Sequence, residues 1–346
     1  MEKLLTIIVP IYNVEKYLNE CLDSFVSQTS RNFLVLLIDD GSTDSSGQIA
    51  ADYAKKYPEL FVYHHQENKG LGGARNTGLS LAKSEYIMFF DSDDFMANRA
   101  VEHILNHIQK FKTDIIFFNP IIFDMAFHTY VEWHDSDLIK KVFSNKEIID
   151  PSKTPQLILS EASVCRAIWK KDFLEEINLR FLEHTRWEDV PPHFLLMHKA
   201  KSASFLPESG IYYYRTNTGN QITAGSGKTR MEMKTIFEEI RSLFVEKSYS
   251  RREKMNMVGF LSKYLLWNIR VIEKDYLAPF VDMCHEFLRS IHFPSCKFYL
   301  SCKVGKKEKI TILLLRSRTL YKMLRDRDSI EKKVNFLKKI KRLIKR

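Results

Sequence analysis

The chain has 346 residues, 45% hydrophobic and 12% aromatic, which is enough apolar material for one large core or two modest ones and excludes a disordered chain. Charged residues make up 28%, and no stretch approaches the roughly 20 consecutive apolar residues that cross a bilayer, which excludes a membrane-spanning helix. The net charge of +10 is local: residues 303–346 hold 17 Lys and Arg against 4 Asp and Glu, while everything before them holds 36 against 39, so a nucleic-acid groove is not expected.

The opening MEKLLTIIVPIYN has a single Lys and enters an apolar strand without a small-residue cleavage site, so no secretory signal and a cytoplasmic location are expected. Four short apolar runs, LLTIIVP, FLVLLID, LFVYHH and YIMFFD, alternate with amphipathic stretches over 14–28, 43–57, 72–83 and 97–111. This alternation predicts an α/β architecture, a mainly parallel sheet with helices on both faces and strands buried along their length. From Asp114 to about Thr223 the runs DIIFF, PIIFD, TYVEW, SASFL and GIYYY predict short strands of a mixed extension. Beyond Gly225, apolar residues three and four apart predict helices over 231–249, 252–273 and 276–291. The expected organisation is a body of residues 1–225, with halves 1–112 and 113–225, followed by a mostly helical domain of residues 226–346. In its basic tail (303–346), Ile330, Val334, Leu337, Ile340 and Ile344 form a stripe among lysines and arginines, the pattern of a helix lying peripherally on an anionic membrane surface. The five cysteines (Cys21, Cys165, Cys284, Cys296, Cys302) are scattered without CxxC spacing, which predicts packed, reduced thiols.

In parallel α/β sheets ligands bind beyond the carboxyl ends of the strands. The residues closing the runs are Pro10, Tyr12 and Asn13, then Asp39 and Asp40, then Asp91, Ser92, Asp93 and Asp94, with Asp44 in the second loop. Carboxylates gathered at strand ends repel one another unless a cation sits among them. A hard divalent cation, Mn²⁺ or Mg²⁺, with one or two carboxylate ligands and substrate phosphate oxygens, is the simplest partner. Asp91-Ser92-Asp93 suits such a metal bridging a diphosphate; the competing structural reading is a turn that caps the next helix. The glycine-rich run from Asn68 to Asn76, with Lys69 and Arg75, suits close approach of phosphate.

The segments TIIVPIYNVEKYLNECLDSFVSQT, LLIDDGSTDSSG, ENKGLGGARNTGLSLAKSEYIMFFDSDD and RWEDVPPHF, in that order, resemble glycosyltransferase family 2. The resemblance implies a GT-A fold for the body and inverting transfer of a sugar from a nucleotide donor. It implies that Pro10 and Tyr12 flank the base, that Asp40 with Asp39 beside it accepts from a uracil imide, that Asp91 contacts ribose or metal, and that Asp93 ligates the metal. Asp94 is then expected to cap a helix. Glu188-Asp189 resembles the family's acidic pair in which the Asp is the general base, and Trp187 beside it is a candidate for stacking on a sugar face. Direct displacement at the anomeric carbon needs a carboxylate to take the acceptor hydroxyl's proton. The alternative for Glu188-Asp189 is helix initiation, with Asp189 as N-cap before Pro191.

Tyr214-Arg215 resembles the pair that precedes a lid loop in relatives, but Asn220-Gln221-Ile222 departs from the usual Asn-Ser-Ile, and Arg166 stands near a position, now Ala167, where a Lys is common. Gly225-Ser226-Gly227-Lys228-Thr229 mimics the end of a phosphate-binding loop but has Ile222 where that motif needs Gly, so an ATPase is rejected. His103 with His107, and His64 with His65, lack a third ligand nearby and read as satisfied or solvent-facing histidines. The expected activity is transfer of a hexose or N-acetylhexosamine from a UDP-sugar to a glycan acceptor, set against two rivals: a glycoprotein acceptor, and a catalytically idle protein that binds a membrane surface or nucleic acid. A lipid-linked intermediate of capsule, teichoic acid or another surface polysaccharide suits a cytoplasmic enzyme with a basic amphipathic tail.

Overall fold

The computed structural model describes residues 3–217, 225, 227–245 and 248–291. The chain divides into two compact units, Met1–Ile222 and Thr223–Arg346. In the first, β1 (Leu5–Ile11), α1 (Glu15–Val26), β2 (Phe33–Asp39), α2 (Ser46–Lys56), β3 (Phe61–His65), α3 (Gly70–Leu81), β4 (Tyr86–Phe89) and α4 (Ala100–Phe111) alternate as the sequence predicts. They are followed by β5 (Ile115–Phe118), β6 (Ile121–Asp124), β7 (Thr129–Glu132), α5 (Ser136–Phe143), β8 (Ile148–Ile149), β9 (Ala167–Lys170), α6 (Lys171–Glu176), α7 (Val190–Lys199), β10 (Ala203–Leu206) and β11 (Tyr213–Thr216).

One eight-stranded sheet has the order β3-β2-β1-β4-β9-β5-β10-β8, and a three-stranded sheet the order β11-β6-β7. The pairs β1–β2, β1–β4, β2–β3 and β5–β10 are parallel, whereas β9 runs antiparallel between β4 and β5. All seven residues of β1 are buried, because neighbours pair on both edges and helices cover both faces, which is why the run reads as continuously apolar rather than alternating. Pro10 is tolerated in this central strand for a local reason. Leu4 and Ile8 carbonyls accept from Tyr86 and Phe90 and the Ile11 carbonyl from Asp40, so the even-numbered residues face β4. Pro10 faces the same side, one rung past the last β4 partner at Ile8↔Phe89, so its missing N–H falls where the ladder ends rather than in its middle. Gly78 lets α3 settle on β1: a Cβ there would lie 2.3 Å from Ile8 Cγ2.

The helix starts differ from expectation where side chains claim the preceding residues. Asp44 accepts from the N–H groups of Ser46 and Glu15, which keeps 43–45 in the loop and starts α2 at Ser46. Ala97–Arg99 stay out of α4 because the Ala97 N–H bonds Gly210 and its carbonyl accepts from Gln28 Nε2. His107 is a satisfied core histidine, 2.9 Å from Ser204 Oγ, and Cys21, Cys165 and Cys284 are buried free thiols.

The second unit contains α8 (Met233–Val245), α9 (Arg251–Val271) and α10 (Lys274–Ser290), with a capping box at Ser250 and Glu253 opening α9. Cys296, Cys302, the basic tail at 303–346 and the Asn220-Gln221-Ile222 segment lie outside the described residues. No helix among the described residues is long and apolar enough to cross a membrane.

Candidate active site

The carboxyl ends of β1, β2 and β4 open onto one region, and the loops after β1 and β2 are stitched together there. Asn13, at φ +50°, accepts through Oδ1 from the Thr43 N–H (2.8 Å) and the Asp44 N–H (3.3 Å). Tyr12 is 51% exposed beside them, a ring available for stacking. The two acidic residues at the end of β2 differ in kind. Both oxygens of Asp39 are occupied: Oδ1 accepts from the Ser42 N–H (3.0 Å), and Oδ2 lies 2.8 Å from Tyr63 Oη and 2.9 Å from His65 Nδ1. Burial pushes the Asp39 carboxyl up, but these hydrogen bonds outweigh it and hold the group below the usual carboxylate range. Asp39 thus organises the loop after β2, tying it to Ser42, Tyr63 and His65. Asp40 spends Oδ1 on Gln66 Nε2 (2.7 Å) and the Lys69 N–H (2.8 Å), leaving Oδ2 as the oxygen without a hydrogen bond among the described residues.

After β4, the four residues of the Asp-Ser-Asp-Asp run take separate tasks. Asp91 is partly exposed and accepts from Arg75 Nη2 (3.0 Å) and Cys165 Sγ (3.4 Å). Ser92 is buried, and Asp93 is raised to about 6 by burial and by the charge of Asp91. Asp94 does not cap a helix. Its Oδ2 accepts from Tyr212 Oη (2.5 Å) and its Oδ1 from the Arg215 N–H (2.7 Å), so it fastens β11 to the loop after β4. The Asp91–Asp93 pair fits a hard divalent cation, which would relieve the repulsion that raises Asp93. Among the described residues no three His, Cys, Asp or Glu side chains form a metal cage of their own, so substrate oxygens would supply the remaining ligands.

Glu188 and Asp189 come to the same place from a segment 113 residues beyond Arg75. Glu188 is buried and pairs with Arg75 Nη1, so a single guanidinium joins Asp91 to Glu188. Arg75 is itself 3% exposed, and its carboxylate neighbours offset the cost of burial. It is an internal bridge between two carboxylates, whereas Lys69, at the start of α3, is exposed. Asp189 occupies the N-cap position of α7, yet its side chain makes no capping hydrogen bond. Burial first, and the adjacent Glu188 second, push its carboxyl well above the ordinary range.

The profile of glycosyl transferase family 2 matches residues 6–176. In Bacillus subtilis (strain 168), the uncharacterized glycosyltransferase EpsJ is 33% identical over 238 residues, 67% of this chain and 66% of that protein. The chain belongs to glycosyltransferase family 2. The minor teichoic acid biosynthesis protein GgaB of the same organism is 29% identical over 298 residues, 83% of this chain but 32% of its own length. The chain thus spans about two thirds of the first family relative and about a third of the second. The crystal structure of S. aureus TarS 1-349 in complex with UDP-GlcNAc matches with a TM-score of 0.73 at 19% identity, over 95% of this chain and 91% of that one. The fold is α/β of the GT-A type with a helical C-terminal region.

Other expectations drawn from the family resemblance change on inspection. Trp187 is 6% exposed at φ +57°, so its ring is packed inside and offers no face to a sugar. Arg215 is 2% exposed, with Nη1 2.8 Å from Glu20 Oε2 and its guanidinium over the Phe95 and Tyr17 rings, contacts that make it a strut within the body. Arg166 is likewise buried, paired with Asp135 and set over Trp133, so it does not replace an exposed lysine. Tyr214 does stay beside the acidic trio: burial and the charges of Asp94, Asp91 and Asp93 raise its phenol, and its ring meets Trp133 edge-on at 5.2 Å. Sequence reading missed Tyr212, Cys165 and Glu20 as partners of this site. Each meets its partner across 70 or more residues, and no local spacing marks them.

Proposed function

We propose that the protein is an inverting glycosyltransferase that moves a hexose or N-acetylhexosamine from a UDP-sugar to a hydroxyl of a surface-polysaccharide acceptor such as teichoic acid or capsule, carried on a lipid. The observation that carries the reading is the meeting of Asp91 and Glu188 on one buried arginine, which sets a donor-side carboxylate beside the segment whose next residue, Asp189, is a raised, uncapped carboxylate. In this reading Tyr12 stacks on the base and Asp40 Oδ2 accepts from its imide, with Pro10 and Asn13 shaping the pocket wall. Asp189 takes the proton of the acceptor hydroxyl as its oxygen attacks the anomeric carbon from the face opposite the diphosphate, and UDP departs with the bonding electron pair. Asp91 and Asp93 would hold Mn²⁺ or Mg²⁺, which when bound neutralises charge on the departing diphosphate. The teichoic acid relative and the UDP-GlcNAc complex of the structural relative support the donor and acceptor classes. The catalytic body is residues 1–225, with residues 226–346 as a helical addition.

Calorimetry with UDP and Mn²⁺, alongside hydrolysis of a UDP-sugar panel, tests the assignment. Wild type is expected to bind UDP only with the divalent ion and to hydrolyse one donor selectively, and Asp93→Ala to lose both. Equal UDP binding with and without the ion would sink the metal assignment.

The proposal extends to location. Net charge of +13 over 303–346 suits contact with an anionic inner membrane face, each basic residue near such lipid contributing about 1 kcal/mol before screening. The full chain is expected to float with phosphatidylglycerol vesicles, and a chain ending at residue 302 is expected to stay behind. Flotation unchanged by the truncation would remove the tail from this role.

A further inference from the structure

We propose that Asn76, with Gly72 beside it, is a positioning residue that holds the segment carrying Glu188 and Asp189 in its working shape; the inference rests on the assignment of Asp189 as the base. Between α6 and α7 the chain has no regular secondary structure from residue 177 to residue 189. The first two turns of α3 grip this segment at consecutive points. Asn76 Oδ1 accepts from the Phe181 N–H and Asn76 Nδ2 donates to the Phe181 carbonyl, both at 2.9 Å, so one amide pairs with the backbone as a neighbouring strand would. The Lys69 carbonyl accepts from the His184 N–H at 2.9 Å. Gly72 lies so close to the segment that a Cβ there would stand 2.0 Å from the Leu182 carbonyl oxygen. The Phe181 ring is anchored edge-on against Phe89 at 5.3 Å, and the last grip is Arg75 on Glu188.

The segment needs outside support. His184 at φ +52° and Trp187 at φ +57° are left-handed without being glycine, a conformation that persists only where surrounding contacts over-determine it. The hydrogen bonds from α3 supply that determination just ahead of Asp189. The glycine-rich run therefore serves the base through the segment, and the Asn76 amide spends its hydrogen bonds on the Phe181 backbone. Because misplacement of a reacting group by about 1 Å costs about 10²-fold in rate, loosening the clamp acts on turnover and leaves ground-state donor binding alone.

The experiment compares wild type with Asn76→Ala, which removes both amide hydrogen bonds, and Gly72→Ala, which pushes on the same segment by a different contact. Three readouts are taken on the full chain: limited trypsin cleavage after Arg180 and Arg186, UDP affinity with Mn²⁺, and turnover across the UDP-sugar panel. The expected result is cleavage at least about 10-fold faster and turnover about 10- to 100-fold slower in both variants, with UDP affinity within about twofold. Unchanged cleavage, or lost UDP affinity with cleavage unchanged, would overturn the clamp and return the run to donor binding. Asp189→Asn separates the two readings: if it retains turnover the base assignment fails, and if it is inactive while Asn76→Ala matches wild type the clamp alone fails.

Discussion

Asp189→Asn is expected to lower sugar transfer by about 10³-fold, the middle of the range for loss of a general base, while UDP binding changes by less than about twofold. The carboxylate is the working form. Burial and Glu188 raise the Asp189 pKa, so the proton that blocks it persists to higher pH than on an ordinary carboxylate. The rate in wild type should therefore climb as pH rises through that raised value, with the foot of the profile above the ordinary carboxylate pKa of about 3.9. The amide of the variant has no such proton to lose, and this limb should vanish from its residual activity. A profile with the same limb in wild type and variant would assign the proton transfer to another group. Because the side chain does not cap α7, little loss of stability should accompany the loss of rate, and thermal unfolding checks this directly.

Arg75→Ala is expected to be the most destabilising of the site substitutions. It would strip the counter-charge from a buried Glu188 and from Asp91 together. Breaking a buried ion pair from one side costs about 3–5 kcal/mol, because the remaining charge stays desolvated. For a unit of this size that corresponds to a Tm lower by roughly 10 °C. Lysine should not restore it, since one ammonium cannot place two donors on two carboxylates in the way a planar guanidinium does. The double variant Arg75→Ala with Glu188→Gln should recover part of the loss, as the stranded charge is then gone. If the double variant is as unstable as the single one, the damage comes from the missing packing against Phe181 and not from charge.

Much of the architecture was legible in the chain because buried parallel strands announce themselves: LTIIVPI is apolar but for Thr6 and FLVLLID apolar up to its closing Asp39, and the residues that close them lie at the site. The carboxylates were legible for the same reason, since polar residues at the ends of such runs have few structural tasks there. What each carboxylate does was not. Asp39 and Asp40 are neighbours in sequence and both buried, yet one is saturated by Ser42, Tyr63 and His65 while the other keeps an oxygen to offer. Asp94 reads as a helix cap from its neighbours, and only Tyr212 and Arg215, 118 and 121 residues on, make it a fastening for β11. Arg75 reads as a phosphate ligand because glycines surround it, but those glycines admit the segment that brings Glu188. Trp187 and Arg215 read as surface aromatics and cations and are buried, because tertiary contacts decide exposure and sequence spacing does not.

The antiparallel strand β9, set between β4 and β5, bears on the order in which the protein is made. Residues 1–112 carry three of the four sequence motifs, but in a growing chain they would emerge with Arg75 lacking Glu188, Asp91 lacking Cys165 and Asp94 lacking both Tyr212 and Arg215. The sheet edge of β4 would also stay open until residues 167–170 leave the ribosome to cover it. Standing alone, residues 1–112 would leave a buried guanidinium, two carboxylates and a strand edge without the partners they have in the whole body. A cut at residue 176, where the family profile ends, would fall just before the segment that completes the site.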